Sequence, residues 1–298
     1  MDRILTSALG LPGAIAIWLL AGPDGWLRAL GTPFLPHLGA ALSLLAVAAC
    51  MARGSRLRLL LAAPFAAGVL ATWLMPAAPM ARPADGLVAV GYNTLWRQDD
   101  PEDAEDWLRA QPADLVLLVE VDGDWDGALK RLAKSYPYQA REAYGGHEMV
   151  LLARHPVRVA ASDPVPGSSR HPVRFEVEID GRRIAVVGVH APVPTSPEGW
   201  RRREAYLEAL AGLLRELSGP VIVLGDFNAT RFDDVLRRLV GAAGLEEVPV
   251  WATWPVAAGG LGIAIDHIFA GGGARVLETT VGPAIGSDHR PLVARIGL

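Results

Sequence analysis

Ser287, Asp288 and His289 stand together near the carboxyl end, in GSDHRPLVARIGL, where a small-residue loop leads into an apolar strand-like run. A carboxylate and an imidazole aimed at one point can hold a phosphate and neutralise its charge. Four further polar islands lie upstream, each at the end of an apolar run: GYNTLW with Asn93, VLLVEV with Glu120, VVGVHAP with His190, and VIVLGDFNAT with Asp226 and Asn228. A fifth, IAIDHIF with Asp266, precedes the terminal motif. Singly, most have an ordinary explanation. Asn93 can cap a turn, His190 can bond to backbone in a core, Asn228 can form a turn, and Asp266 beside His267 can end a strand in a salt bridge. Glu120 is harder to explain away. After a run as apolar as LVLLV, a buried carboxylate needs a cation, and the choices are a metal or an arginine. Asp226 and Asn228, two apart on an extended segment, project to the same side.

Together, these carboxylates, two amides and two histidines have the composition required for metal-assisted hydrolysis of a phosphate ester. A hard divalent ion takes oxygen ligands, and Mg2+ keeps several waters while using one or two carboxylates. With Cys50 the sole cysteine and no histidine cluster, neither a disulfide framework nor a zinc site is expected. No Walker loop, dinucleotide fingerprint or nucleophile elbow competes.

The elements that must position these residues begin at Gly86. LVAVGYNTL, ADLVLLVEV, EMVLLAR, RFEVEI, RIAVVGVHA, PVIVLGDFN, AIDHIFA and PLVARI read as strands. The purely apolar runs predict buried strands, and alternating RFEVEI predicts one wet face. PEDAEDWLRAQ opens a helix with Pro and acids. PEGWRRREAYLEALAGLLREL is amphipathic at helical spacing, and RFDDVLRRLVGAAG ends in a Gly stop. Strand ends are where α/β folds place sites, and this mixture predicts an α/β sandwich of two packed sheets covered by helices.

The first third is different. Residues 1–80 hold five Lys/Arg and two Asp/Glu, whereas the remainder of the 28 basic and 32 acidic residues lie downstream. Three apolar stretches, Leu5–Ala21, His37–Met51 and Leu57–Met75, predict an all-α transmembrane segment over residues 1–76 and a Pro/Ala linker over 77–85, before a domain over 86–298. Arg53, Arg56 and Arg58 between the second and third stretches predict an inside amino terminus and a domain on the outer, periplasmic side of a bacterial inner membrane. The acidic balance downstream argues against a broad duplex-binding surface. Arg97, Arg170, Arg174, Arg201–Arg203 and Arg231 remain available for a local patch, though most read as solvated helix or loop charges.

In its order, Asn…Glu…His…GDFN…Asp…SDH, the set resembles the endonuclease/exonuclease/phosphatase superfamily, which includes deoxyribonuclease I, abasic-site endonucleases, neutral sphingomyelinases and inositol-polyphosphate 5-phosphatases. The resemblance covers residues 86–298, with GDFN and SDH its most specific motifs, and membrane-anchored bacterial relatives share the layout. It implies a deoxyribonuclease I-like sandwich of two packed, mainly antiparallel or mixed β-sheets flanked by helices. It also implies roles. Glu120 is the principal Mg2+ ligand (Mn2+ a possible substitute) with Asn93 beside it. Asp226 aligns or deprotonates the attacking water, and Asn228 holds that water or a phosphate oxygen. His289, oriented by Asp266, bonds the scissile phosphate. Asp288 assists in metal binding or phosphate positioning, and His190 supports the leaving group or transition state. Two features depart from the family pattern: Ala153 stands where a Ser usually precedes the Arg, and the partner of His190 is not obvious, with His147 and Glu148 the nearest candidates.

The expected function is therefore a membrane-tethered, divalent-metal-dependent phosphoesterase hydrolysing phosphodiester bonds of nucleic acid or phospholipid head groups. It would contact membrane lipid and have no obligate protein partner. The alternatives are a hydrolase of lipid or inositol phosphates and a non-catalytic binding or scaffold protein. Transport ranks last, because the apolar stretches carry no charge of the kind transport paths use.

Overall fold

Apolar runs alternate with amphipathic segments from Leu87 onward, and they fold as two layers of strand between two layers of helix. The computed structural model describes residues 14–53, 86–96, 100–144, 146–162, 164–246, 248 and 250–298. The chain divides into two compact units, Met1–Pro76 and Ala77–Leu298.

In the second unit one sheet contains β1 (Leu87–Asn93), β2 (Leu115–Val121), β3 (Tyr138–Tyr144), β4 (His147–Ala153), β10 (Arg275–Val281) and β11 (Leu292–Gly297), in the order β10-β11-β1-β2-β4-β3. The other contains β5 (Val157–Ser162), β6 (Val173–Ile179), β7 (Arg182–His190), β8 (Val221–Asp226) and β9 (Asp266–Gly271), in that order. Leu117, Leu151, Phe175, Val186, Leu224 and Ile268 belong to the core between the two sheets. Helices α1 (Glu102–Ala110) and α2 (Asp126–Leu132) share a core with the outer face of the first sheet, and α3 (Pro197–Glu216) and α4 (Asp234–Ala243) share one with the second. At the α3 start Pro197 fills the first turn, and the Ser196 hydroxyl accepts from the N–H of Gly199 at 3.0 Å.

Two parallel pairs, β1 with β2 and β7 with β8, are each joined through a helical crossover, and the other pairs are antiparallel. This topology decides where the chemistry lies. The carboxyl ends of β1, β2, β7 and β8, the start of β9 and the loop entering β11 all fall at the same edge, because β9 and β11 run antiparallel to their neighbours β8 and β1. Gly225 makes the convergence possible. Its φ is 132°, and a Cβ there would lie 2.0 Å from the Val189 carbonyl oxygen, so β7 and β8 can approach this closely only around glycine.

In the first unit, residues 14–21, Trp26–Gly31 and Leu35–Arg53 are helical. Arg28 is buried and donates to the carbonyls of Leu19 at 2.9 Å and Leu20 at 3.4 Å, groups that the end of the first helix leaves without partners. The expected transmembrane segment is not seen here: among the described residues no helix is long and apolar enough to cross a membrane. The first described helix ends at Ala21, before Gly22, Pro23 and Asp24. The expected stretch Leu57–Met75 and the linker 77–85 lie outside the described residues.

Candidate active site

Each predicted site residue except Asp288 joins one connected set at the shared strand edge. Asn93 is the last residue of β1, and its side-chain amide donates to Glu120 Oε1 and to Asp226 Oδ2, at 3.2 Å each. A single amide thus bridges carboxylates from the two sheets. Its carbonyl oxygen accepts from the N–H of Leu95 at 3.0 Å, so Asn93 shows Glu120 its nitrogen, not the oxygen a metal ligand requires.

Glu120 lies where the β2–β4 register breaks, between Leu118 and Val121. Its φ is 63°, a left-handed conformation that costs a non-glycine residue roughly 1–3 kcal/mol. The bulge turns the carboxylate off the strand. Oε2 accepts from the Trp96 N–H at 2.9 Å, and the Glu120 N–H is taken by the Tyr144 hydroxyl at 3.0 Å. Burial pushes this carboxyl up, but its hydrogen bonds, with His190 foremost, more than offset that and hold it below the usual carboxylate range.

His190 ends β7 and is buried. Nδ1 meets the Tyr144 hydroxyl at 2.6 Å, while Nε2 lies 2.8 Å from Arg170 Nη1 and 3.1 Å from Glu120 Oε1. Burial pushes the imidazole down to about 4 against the pull of Glu120, and Arg170 adds to the lowering. With the ring neutral near pH 7, Nε2 meets one neighbour at a time, as a lone pair toward Arg170 or as an N–H toward Glu120. Tyr144 and Arg170 are the partners the sequence left unnamed. The candidates considered there have other contacts: His147 packs edge-on against Trp96, and Glu148 pairs with Arg141.

Asp226 ends β8, in register with His190 on one side and Asp266 on the other. Oδ1 accepts from the Asn228 N–H at 2.8 Å, and Oδ2 accepts from the Asn228 side-chain amide at 3.2 Å. Asn228 has φ 47°, a conformation Asn tolerates. Burial, then the adjacent Asp266 charge, push the Asp226 carboxyl up to about 7, against the pull of His289 and the amides. Asp266 Oδ2 lies 2.9 Å from His289 Nδ1, and His289 Nε2 lies 3.9 Å from Asp226 Oδ2. Burial pushes His289 down, but the Asp266 carboxylate and the charges of Asp226 and Asp288 overcome it and raise the ring to about 10. His289 is therefore an imidazolium near neutral pH.

Asp288 is placed differently from expectation. Its Oδ2 accepts from the Trp254 indole N–H at 2.8 Å and its carbonyl from the Val256 N–H at 2.8 Å, so it anchors the segment before β9. The terminal motif thus contributes its histidine to the site and its aspartate to the wall behind it.

The donor set suits a hard cation. The carboxyl groups of Glu120 and Asp226 share the Asn93 amide, with His190 Nε2 beside both, and ligand atoms of Asp226, Asp266 and His289 lie within 4.8 Å of one another. Buried carboxylate oxygens gathered in this way fit a hard divalent cation. His289 is the poorest ligand of the set, because its ring holds a proton that a metal would have to displace.

Residues 90–289 match the family model described as the Endonuclease/Exonuclease/phosphatase family. A UPF0294 protein of Vibrio cholerae serotype O1 is 35% identical over 125 residues, covering 40% of this chain, and the match spans only 42% of that relative's length. Among solved structures, an endonuclease/exonuclease/phosphatase from Beutenbergia cavernae superposes with a TM-score of 0.57 at 18% identity, covering 72% of each chain. A mutant beta toxin from Staphylococcus aureus, with bound magnesium ions, gives 0.54 at 17% identity over 70% of this chain and 99% of its own. Sphingomyelinase C from Streptomyces griseocarneus gives 0.51 at 17% identity over 71% and 99%. At these identities the structural likeness is one of fold.

Proposed function

The chain belongs to the Endonuclease/Exonuclease/phosphatase family, and from that premise we propose that it is a divalent-metal-dependent phosphodiesterase acting by attack of water on phosphorus. The observation that carries the reading is the connected set in which Asn93 bridges Glu120 to Asp226, with His289 and its Asp266 partner on the far side of Asp226. A divalent cation held chiefly by Glu120, with Asp226 within reach, would supply Lewis-acid neutralisation of the phosphate. Asp226, near neutrality in its proton affinity, orients the attacking water and takes its proton as the oxygen–phosphorus bond forms. Asn228 fixes Asp226 through its backbone and side-chain N–H groups. The His289 imidazolium donates from Nε2 to a phosphate oxygen, Nδ1 being committed to Asp266, and balances charge that grows as the ester P–O bond breaks. On the opposite flank, Arg170 and His190 offer a guanidinium and an imidazole to the leaving oxygen.

The test is turnover by the purified full chain on nucleic acids, phospholipids and phosphorylated inositols, with Mg2+ or Mn2+ and with chelator. Metal-dependent cleavage of a diester is expected. Activity that survives the chelator, or its absence on every substrate, overturns the reading. Binding without turnover would leave a scaffold.

Association of the first unit with lipid, on the outer face of a membrane, is part of the same proposal. It is supported by the apolar sequence of residues 57–75 and by exposed Ile17, Leu20, Leu27 and Leu44 in the described part. Release of the chain into the soluble fraction by an alkaline wash would count against it.

A further inference from the structure

Arg203 is a buried charge that the proposed chemistry does not use. It lies in α3 at 1% side-chain exposure, facing Asp233, also at 1%. Nη2 donates to Asp233 Oδ1 at 3.1 Å and to Glu204 Oε1 at 3.3 Å, and Nη1 donates to the backbone carbonyl of Asn228 at 2.7 Å. Asp233 turns its other oxygen away from the helix it precedes: Oδ2 accepts from the N–H and the hydroxyl of Thr230, at 2.8 and 3.0 Å. The next carbonyl along, that of Ala229, is taken by the buried His267 ring at 2.9 Å. The turn after β8 is thus held from beneath at Asn228, Ala229 and Thr230, while its upper surface presents Asp226 and the Asn228 amide.

We propose that Arg203 is a positioning residue for the hydrolytic site, holding Asn228 in its left-handed conformation so that its two N–H groups stay on Asp226. The physical case rests on burial and direction. A solitary guanidinium buried in a helix–sheet core is expensive, and an ion pair there is often no more stabilising than apolar packing of the same volume. The guanidinium here joins three pieces of backbone that no apolar side chain could join: α3, the turn after β8, and the start of α4. The Asn228 carbonyl is the contact through which it acts on the chemistry. A neighbouring turn set wrong by about 1 Å can lower turnover on the order of 100-fold without altering substrate affinity.

The inference rests on the phosphodiesterase reading for its kinetic arm and has a second arm that does not. Arg203→Lys keeps the charge but cannot reach Asn228 and Asp233 with one fork. Its kcat on a soluble diester such as bis(4-nitrophenyl) phosphate, with Mg2+, should fall by about 10- to 100-fold, with KM within about twofold. Leu207→Ala, a buried apolar truncation one turn along the same helix, serves as the control for general destabilisation: assayed well below its unfolding midpoint, it should retain wild-type kcat. Asp233→Asn replaces Arg203→Lys if the latter does not fold. Equal kcat losses in Leu207→Ala and the clamp variant, or wild-type kcat in both, overturn the proposal. Should the wild-type chain hydrolyse no diester, the phosphodiesterase reading fails, and hydrogen exchange decides the clamp alone. Amides of residues 226–233 should exchange about tenfold or more faster in the clamp variant than in Leu207→Ala, and equal rates would overturn it.

Discussion

His190 and His289 face the same carboxylate, with Nε2 atoms 4.0 and 3.9 Å from Asp226 Oδ2, yet their proton affinities lie far apart. Burial acts on both in the same direction. What separates the rings is the partner of each Nδ1: a neutral phenol for His190, a carboxylate for His289. Arg170 against Nε2 of His190 widens the gap, while Asp226 and Asp288 widen it from the other side. One strand edge therefore presents a neutral imidazole at about 4 and an imidazolium at about 10. Sites that run acid and base chemistry together are built from such divergent pairs.

The largest break in that comparison comes from the group both rings share. Asp226→Asn keeps the shape, but it puts an NH2 in place of one of the two accepting oxygens and removes the carboxylate that takes the proton. Turnover should fall by about 1000-fold, with the fold intact by circular dichroism. A loss below tenfold would remove Asp226 from the chemistry. Asp266→Asn acts on one ring only. It strips His289 of the foremost charge that raises it, so the imidazole should titrate well below its present value of about 10, and the alkaline limb of the pH–rate profile should move down with it. A loss of about 100-fold in kcat near pH 8 is expected, and an unmoved NMR titration of the His289 ring would contradict the assignment.

Stability should divide in the same way. A ring whose folded value is lowered, as for His190 and the buried His267 at about 4, adds stability that is full above the ordinary 6.5 and is lost as pH falls toward 4. A ring whose folded value is raised, as for His289, adds stability that is full below 6.5 and is lost as pH rises through about 10. His267 makes no contact with substrate in the proposed mechanism, so it isolates the acid limb. In urea unfolding from pH 6.5 to 4, His267→Gln should lose roughly 3 kcal/mol less than wild type. Parallel curves would mean that His267 is not buried as a neutral ring.

How much of this was legible depended on where each residue lies in the sheets. The strands read from sequence are chiefly the interior ones, with long apolar runs. The three that escaped, β3, β5 and β10, are all edge strands, and β3 and β10 are polar on their open side. Asn93, Glu120, His190, Asp226 and Asp266 were visible because each interrupts or ends an apolar run. Asp288 sits beside His289 in sequence, and nothing local says that its oxygen goes to Trp254. Tyr144 ends an edge strand just before Gly145 and Gly146, so the strand-end signal existed there in a strand that was not recognised. Arg203 read only as one of several arginines open to a local patch or to solvent, yet it lies three, four and seven residues before Tyr206, Leu207 and Leu210, on the buried stripe of α3. Position on the helix, and not residue type, carried that information.

The smallest expected effect tests which cause dominates the low histidine. Burial is the first influence on His190, the Glu120 hydrogen bond opposes it, and the Arg170 charge comes third. Arg170→Gln should therefore raise the His190 value only part of the way back, leaving it below 6.5, because the ring stays buried between Tyr144 and Glu120. Glutamine can still donate to Nε2, so the ring should keep its place while the field of the guanidinium disappears. NMR titration of the imidazole gives the answer directly. A value above 6.5 in Arg170→Gln would mean that charge, not burial, sets this ring apart from His289, and that the two flanks of the site differ through one side chain and not through the fold.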